Sequence, residues 1–154
     1  MQKNVKKEAL KFLSHNHSAA LATAHNNRPY VSVIYYIVDK KFNFYFLTKR
    51  ATDKYKNIAL NSTVSLTIGF GPSLINVQAK GKAKILYGKE KIVGARTVRK
   101  VLNQKNINGW PIEELLRFKQ ETRELLKTDV LVKIIPYRLD FFNLENSDIH
   151  FKLI

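Results

Sequence analysis

Residues 30–38, Tyr-Val-Ser-Val-Ile-Tyr-Tyr-Ile-Val, constrain the fold more than any other part of the chain. β-branched and aromatic side chains dominate the segment, which favours a strand over a helix. Side chains of a strand alternate between two faces. One face here carries Tyr30, Ser32, Ile34 and Tyr36; the other carries Val31, Val33, Tyr35 and Ile37. Both are largely apolar, and a strand of that kind is covered on both sides. One side can rest on a core. The other needs a second subunit or a ligand.

The flanking segments indicate the sheet around it. Residues 18–24, Ser-Ala-Ala-Leu-Ala-Thr-Ala, have the propensity of a helix, but His25-Asn-Asn-Arg-Pro29 directly after them is a turn signal and favours a strand and hairpin. Asp39-Lys-Lys41 turns the chain into an aromatic strand, 42–48. A helix is expected from about Thr52 to Leu60, ended by Asn61-Ser62, then a strand over Val64–Phe70 and a turn at Gly71-Pro72-Ser73. Ile75–Tyr87 reads as a long strand with Val77, Ala79, Gly81, Ala83 and Ile85 on one face and Gln78, Lys80, Lys82 and Lys84 toward water. Gly81 within it predicts a bulge or a close backbone approach.

Helices are expected at the periphery. Val5, Ala9, Leu10 and Leu13 form one stripe of a helix over 5–14. Lys89–Gln104 is helical in pattern, and a second helix runs from Trp110-Pro111 to about Leu126. Asp129–Phe142 returns to strand, interrupted by Pro136, and 149–154 supplies a short last strand. Antiparallel strands with helices set aside give an α+β fold, a small barrel.

The chain has 154 residues, 45% of them apolar, so residues 1–154 are read as a single domain with a real core. There is no cysteine, which excludes disulfides and thiolate metal sites and is compatible with a reducing cytoplasm. No apolar run approaches a membrane span, and no leader is expected. The formal net charge is +15, but the lysines are scattered over almost every element. That pattern predicts a solvated coat with weak, salt-sensitive polyanion binding and no dedicated nucleic-acid site.

Chemistry concentrates between Phe42 and Ile58. The aromatic strand ends in Thr48, a short polar loop follows, and a helix starts with Thr52 and Lys54. Hydroxyls, free N–H groups and cations meet there at the positive end of a helix dipole, which suits a phosphate. Thr52 alone would serve as an ordinary N-cap. Elsewhere, His15-x-His17 could share one strand face as metal ligands, although two surface histidines at a helix end are commoner. Tyr30, Tyr35, Tyr36 and Tyr45 could stack on bases, but packing within a sheet explains them better. No Ser/His/Asp set assembles. The helical segment 89–126, with Arg96, Arg99, Lys100, Arg117, Lys119 and Arg123, is either a cap admitting an anionic substrate or a solvated surface.

The order of these pieces resembles the FMN-binding split-barrel family, the group related to pyridoxamine 5′-phosphate oxidase. Ala20-Leu-Ala-Thr23, Arg28-Pro-Tyr-Val-Ser-Val33, Phe44-Tyr-Phe-Leu-Thr48, Thr52-Asp-Lys54 and Val77-Gln-Ala-Lys-Gly81 carry the likeness. The resemblance implies an antiparallel split β-barrel of six or seven strands, with peripheral helices and a helical insert before the last strands. It also implies a homodimer that holds FMN in clefts between subunits; with the cysteine-free composition, a cytoplasmic protein that transfers hydride or electrons to a small substrate is expected. By position, Ser32, Val33, Ile34 and Tyr35 would line the isoalloxazine. Leu47 and Thr48 would lie near the ring and ribityl chain, and Thr52, Asp53 and Lys54 at the phosphate. Asn76 would turn an amide toward the flavin.

This chain departs from the family at several points. Thr52-Asp53-Lys54 stands where Ser-Arg-Lys is common, and Asp53 brings an anion to the phosphate corner unless Lys49, Arg50 or Lys56 compensates. Ser32 stands where the true oxidases carry arginine, and their C-terminal tryptophan and arginine signature is missing. Authentic pyridoxal phosphate synthesis is therefore not expected. The same cleft could take a deazaflavin or haem, the protein could be a cofactor-free binding or regulatory dimer, or its charge could serve nucleic acid.

Overall fold

The computed structural model describes residues 2–69, 71, 74–103, 129–144 and 149–154. Among the described residues, three helices and eight strands follow one another: α1 (Gln2–His15), β1 (Ser18–His25), β2 (Arg28–Tyr35), β3 (Ile37–Val38), β4 (Phe44–Thr48), α2 (Asp53–Leu60), β5 (Thr63–Ile68), β6 (Ile75–Ile85), α3 (Gly88–Asn103), β7 (Val130–Asn143) and β8 (Ile149–Lys152). Seven strands run in the order β2-β1-β5-β6-β7-β4-β3, with β8 paired to β7. Every pairing is antiparallel. The molecule is an antiparallel split barrel with peripheral helices, and α3 precedes the last strands, as the sequence predicts. The second expected helix, 110–126, lies outside the described residues.

The two ends of that strand path are β2 and β3, yet only Tyr36 separates them in the chain. A sheet whose opposite edges are joined by one residue has to curl back on itself. Tyr36 makes the join. Its N–H donates to the His17 carbonyl at 3.0 Å. Its hydroxyl donates to the Leu13 carbonyl at 3.0 Å, and its ring meets Phe44 edge-on at 5.3 Å. The single strand expected over 30–38 is therefore two strands on opposite lips of the split. The reason is that Tyr36 is spent anchoring the crossover in the core.

The hairpin before β2 forms as its turn residues dictate. His25 pairs with Arg28, which leaves Asn26 and Asn27 as a two-residue loop, both at positive φ (48° and 57°). That is the type I′ geometry that matches strand twist, and asparagine tolerates it. Across the hairpin, Ala19, Leu21 and Thr23 are buried with Ile34, Ser32 and Tyr30 opposite them. Val31 and Val33, on the other face, are 64% and 57% exposed. Within one chain, the two-faced strand is covered on one side only.

The main core fills the barrel with Phe44, Phe46, Leu21, Ile68, Val77 and Phe141, and α1 closes one end through Val5, Ala9 and Leu13. A second cluster lies outside the sheet, where Val98 and Leu102 of α3 cover Ile37, Tyr45, Leu47, Leu86 and Leu131. On β6 the alternation is as expected: Val77, Ala79, Gly81 and Ala83 are buried, while Gln78, Lys80, Lys82 and Lys84 are exposed. The register shifts between Lys80 and Gly81, where Gly81 faces Pro136. Both features expected of Gly81 are present, because a Cβ there would lie 2.7 Å from the Ile135 carbonyl.

Candidate functional site: a cleft at the lips of the barrel

The split brings the end of β2 beside the end of β4. There a cavity of about 210 Å³ opens, walled by Val33, Ile34, Tyr35 and Leu47. Its other end is polar, formed by Thr48, Lys49, Thr52 and Lys54. As an edge strand, β2 also presents the backbone N–H and C=O of every second residue away from β1.

The polar end is ordered by a chain of hydroxyls. Thr52 is the N-cap of α2, with φ −76° and ψ 147°, and its oxygen accepts from the Tyr55 N–H. Its single proton goes to the Lys49 carbonyl at 2.8 Å. In the 2.9 Å contact between the two threonine hydroxyls, Thr48 is therefore the donor. That arrangement fixes both side chains, and both line the cavity. Among the described residues no acceptor is bonded to the N–H of Asp53 or Lys54. Two free donors at a helix N-terminus, with Lys54 and Lys49 alongside, concentrate hydrogen-bond donors and positive charge at this end of the cavity.

Of the ten residues expected at a cofactor site, the cavity gathers Val33, Ile34, Tyr35, Leu47, Thr48, Thr52 and Lys54. Asp53 is elsewhere: its carboxylate is exposed and reaches Lys56 at 3.9 Å. The anion that departs from the family pattern thus points into solvent, where the first turn of a helix favours it. Ser32 sits on the inward face of β2, opposite Leu21. Asn76 starts β6 opposite Phe142. The Ser32 Oγ and Asn76 Oδ1 are both buried without a hydrogen-bond partner. Lys49 lines the cavity but stood in the sequence only as a compensating cation; its place directly after Thr48 was the available signal. Arg50 is outside the lining. The ammonium of Lys91 is lowered by burial and by the charge of Arg50, while Asp129 opposes the shift.

His15 and His17 do not form the strand pair considered above. His15 ends α1 and its Nδ1 meets the Lys11 carbonyl at 2.7 Å. No group of three or more His, Cys, Asp or Glu able to hold a metal occurs among the described residues. No helix among them is long and apolar enough to cross a membrane.

The family model described as pyridoxamine 5′-phosphate oxidase matches residues 5–125. The chain belongs to that family. Several solved structures share its fold at low identity. General stress protein 26 from Bacillus anthracis superposes with a TM-score of 0.68 at 17% identity, covering 97% of this chain and 99% of that one. A putative pyridoxamine 5′-phosphate oxidase from Listeria innocua gives 0.64 at 14% identity, over 90% and 98%. An FAD-binding protein from Mesorhizobium loti gives 0.60 at 20% identity, over 86% and 88%. No curated protein matches the chain by sequence.

Proposed function

We propose that this pyridoxamine 5′-phosphate oxidase-like chain is an FMN-dependent oxidoreductase that works as a homodimer on a small substrate other than pyridoxamine phosphate. The observation that carries the reading is the cleft itself. One lip gives a flat apolar wall from Val33 to Tyr35, and the other ends in the hydroxyl pair, the free N–H groups of α2 and Lys54. A planar ring joined to a phosphate has that same polarity from end to end. The FAD-binding relative supports a flavin.

The fit is partial within one chain, and the shortfall is informative. At about 210 Å³ the cavity is smaller than the roughly 300–1,000 Å³ usual for ligand pockets. Val31 and Val33 beside it are exposed apolar residues on a strand that pattern marks as two-sided. A second copy laid against this face would cover them and complete the cleft. In that assembly Lys54, Lys49 and the N–H groups at the start of α2 hold the phosphate, Thr52 orders that corner through its own saturated hydroxyl, Thr48 meets the ribityl chain, and β2 supports the ring. Bound FMN would supply hydride and electron transfer, chemistry that no side chain here provides.

The test is the visible spectrum of the freshly purified chain, followed by FMN titration. Saturable uptake of one FMN per chain with a flavin spectrum is the expected result. A protein that takes up no FMN overturns the proposal, and a Soret band or deazaflavin spectrum replaces the cofactor.

A further inference from the structure

A second cavity lies where α3 rests on the outer face of the sheet. It measures about 340 Å³, larger than the flavin cleft and within the range of small-molecule pockets. The sheet supplies Tyr45 and Ile135, the connection between β6 and α3 supplies Leu86, and the helix supplies Val93. Val93 and Ile135 are 61% and 45% exposed, apolar groups without cover. Gly94 fixes the depth of the hollow. A Cβ there would stand 2.6 Å from Leu86 Cδ1 and 3.1 Å from Leu131 Cδ2, so only a bare helix backbone can pack this close.

The charges around the cavity are unbalanced. Lys84 and Glu90 neutralise each other at 2.6 Å. Lys89 and Lys133 also line it, and among the described residues neither has a carboxylate partner. The Lys133 ammonium lies 5.7 Å from the centroid of the Tyr45 ring. The Tyr45 hydroxyl is bonded to Asp39 Oδ2, so Tyr45 lines the cavity without a free hydroxyl. The Asp39 carboxylate is already saturated by the N–H groups of Lys41 and Asn43 and by the Asn43 amide. Two uncompensated cations above an apolar floor select an anion with a hydrophobic body.

We infer that this hollow is a second ligand site, which takes a small amphipathic carboxylate. Its chain or ring lies against Leu86, Val93 and Ile135, and its carboxylate meets Lys133 and Lys89. The site shares no lining residue with the flavin cleft and does not depend on the flavin reading.

The probe is sodium decanoate, titrated into the full 15N-labelled chain with and without FMN and followed by amide shifts. Saturable shifts at Gly94, Thr97 and Lys133, unaffected by FMN, are expected. The double substitution Lys89→Ala and Lys133→Ala should weaken binding at least tenfold. Thr97→Trp, which fills the cavity, should abolish binding, and the double lysine variant, at exposed Lys89 and half-buried Lys133, keeps the test decisive if the tryptophan variant misfolds. The inference is overturned by the absence of saturable shifts at these amides, by shifts that FMN displaces to Leu47 and Thr48, or by equal binding of 1-decanol.

Discussion

Thr52 does three things with one hydroxyl: it caps α2, donates to the Lys49 carbonyl and accepts from Thr48. The cleft's polar end is therefore set before any ligand arrives, and Lys54 is the half-buried cation positioned to use it. Lys54→Ala should weaken FMN binding by about 1.5–3 kcal/mol, the worth of a hydrogen bond to a charged group. Fluorescence titration measures it, and a loss of only a few tenths would remove Lys54 from the site. At Tyr36 the relevant effect is on stability. Burial raises its phenol far above the ordinary 10.0. Above about pH 10 the unfolded chain therefore releases a proton that the native state keeps, and stability falls as pH rises. Tyr36→Phe should make the loss of stability between pH 10 and 12 shallower by up to about 1.4 kcal/mol per pH unit, read from urea melts at each pH.

At the scale of elements, two irregularities shape the barrel. The first is the turn after β3. Phe42 is held at φ 62°, an unfavourable place for an aromatic residue, and the Asp39 carboxylate fixes the turn through the N–H groups of Lys41 and Asn43. The second is the bulge where Gly81 of β6 faces Pro136 of β7. Proline brings no N–H to the ladder, and glycine lets the strands approach. Gly81→Ala should cost about 1–3 kcal/mol, because its Cβ would press on backbone at Ile135, which a rotamer change cannot relieve. Thermal or urea unfolding measures the loss; an unchanged midpoint would mean that the bulge yields. α3 stands against the outer cluster through Val98 and Leu102, so it is a packed wall of the molecule.

For the whole molecule, the telling surface is the outer face of the hairpin. Ala20 and Ala22 of β1, Val31 of β2, and Ser65 and Thr67 of β5 line a shallow hollow there. Small side chains make the face flat, and Val31 and Val33 make it apolar. If a second copy covers it, Val31→Glu should convert a dimer into a monomer, since a buried carboxylate without a partner costs several kcal/mol. Val31 is 64% exposed in the single chain, so the fold itself tolerates the change. Light scattering gives the mass, and the same variant should bind FMN more weakly because half of its cleft is gone. A monomer with undiminished FMN affinity would separate the cleft from the interface.

Much of this was legible from residue order alone. Asn26-Asn27 between small-residue and β-branched runs specified a hairpin, because few side chains accept positive φ at two successive positions. The alternation from Val77 to Lys84 specified the faces of β6, and Thr52 specified the start of α2. Each is a local rule, written in neighbouring residues. The break at Tyr36 was not legible. The segment reads as one strand, and its division between two lips depends on a hydrogen bond to Leu13 and a ring contact with Phe44, partners supplied from elsewhere in the chain. Nor could spacing show that Asp53 turns outward while Lys49 turns into the cleft. Side-chain direction at a strand end and helix start follows from how those two elements dock. The sequence by itself determined the hairpin at Asn26-Asn27, the two faces of β6, the start of α2 and the polar, cationic character of the segment 48–54. Tertiary structure alone decided which lips meet, because closure of a barrel is a relation between its two edges and is carried by no single stretch of chain.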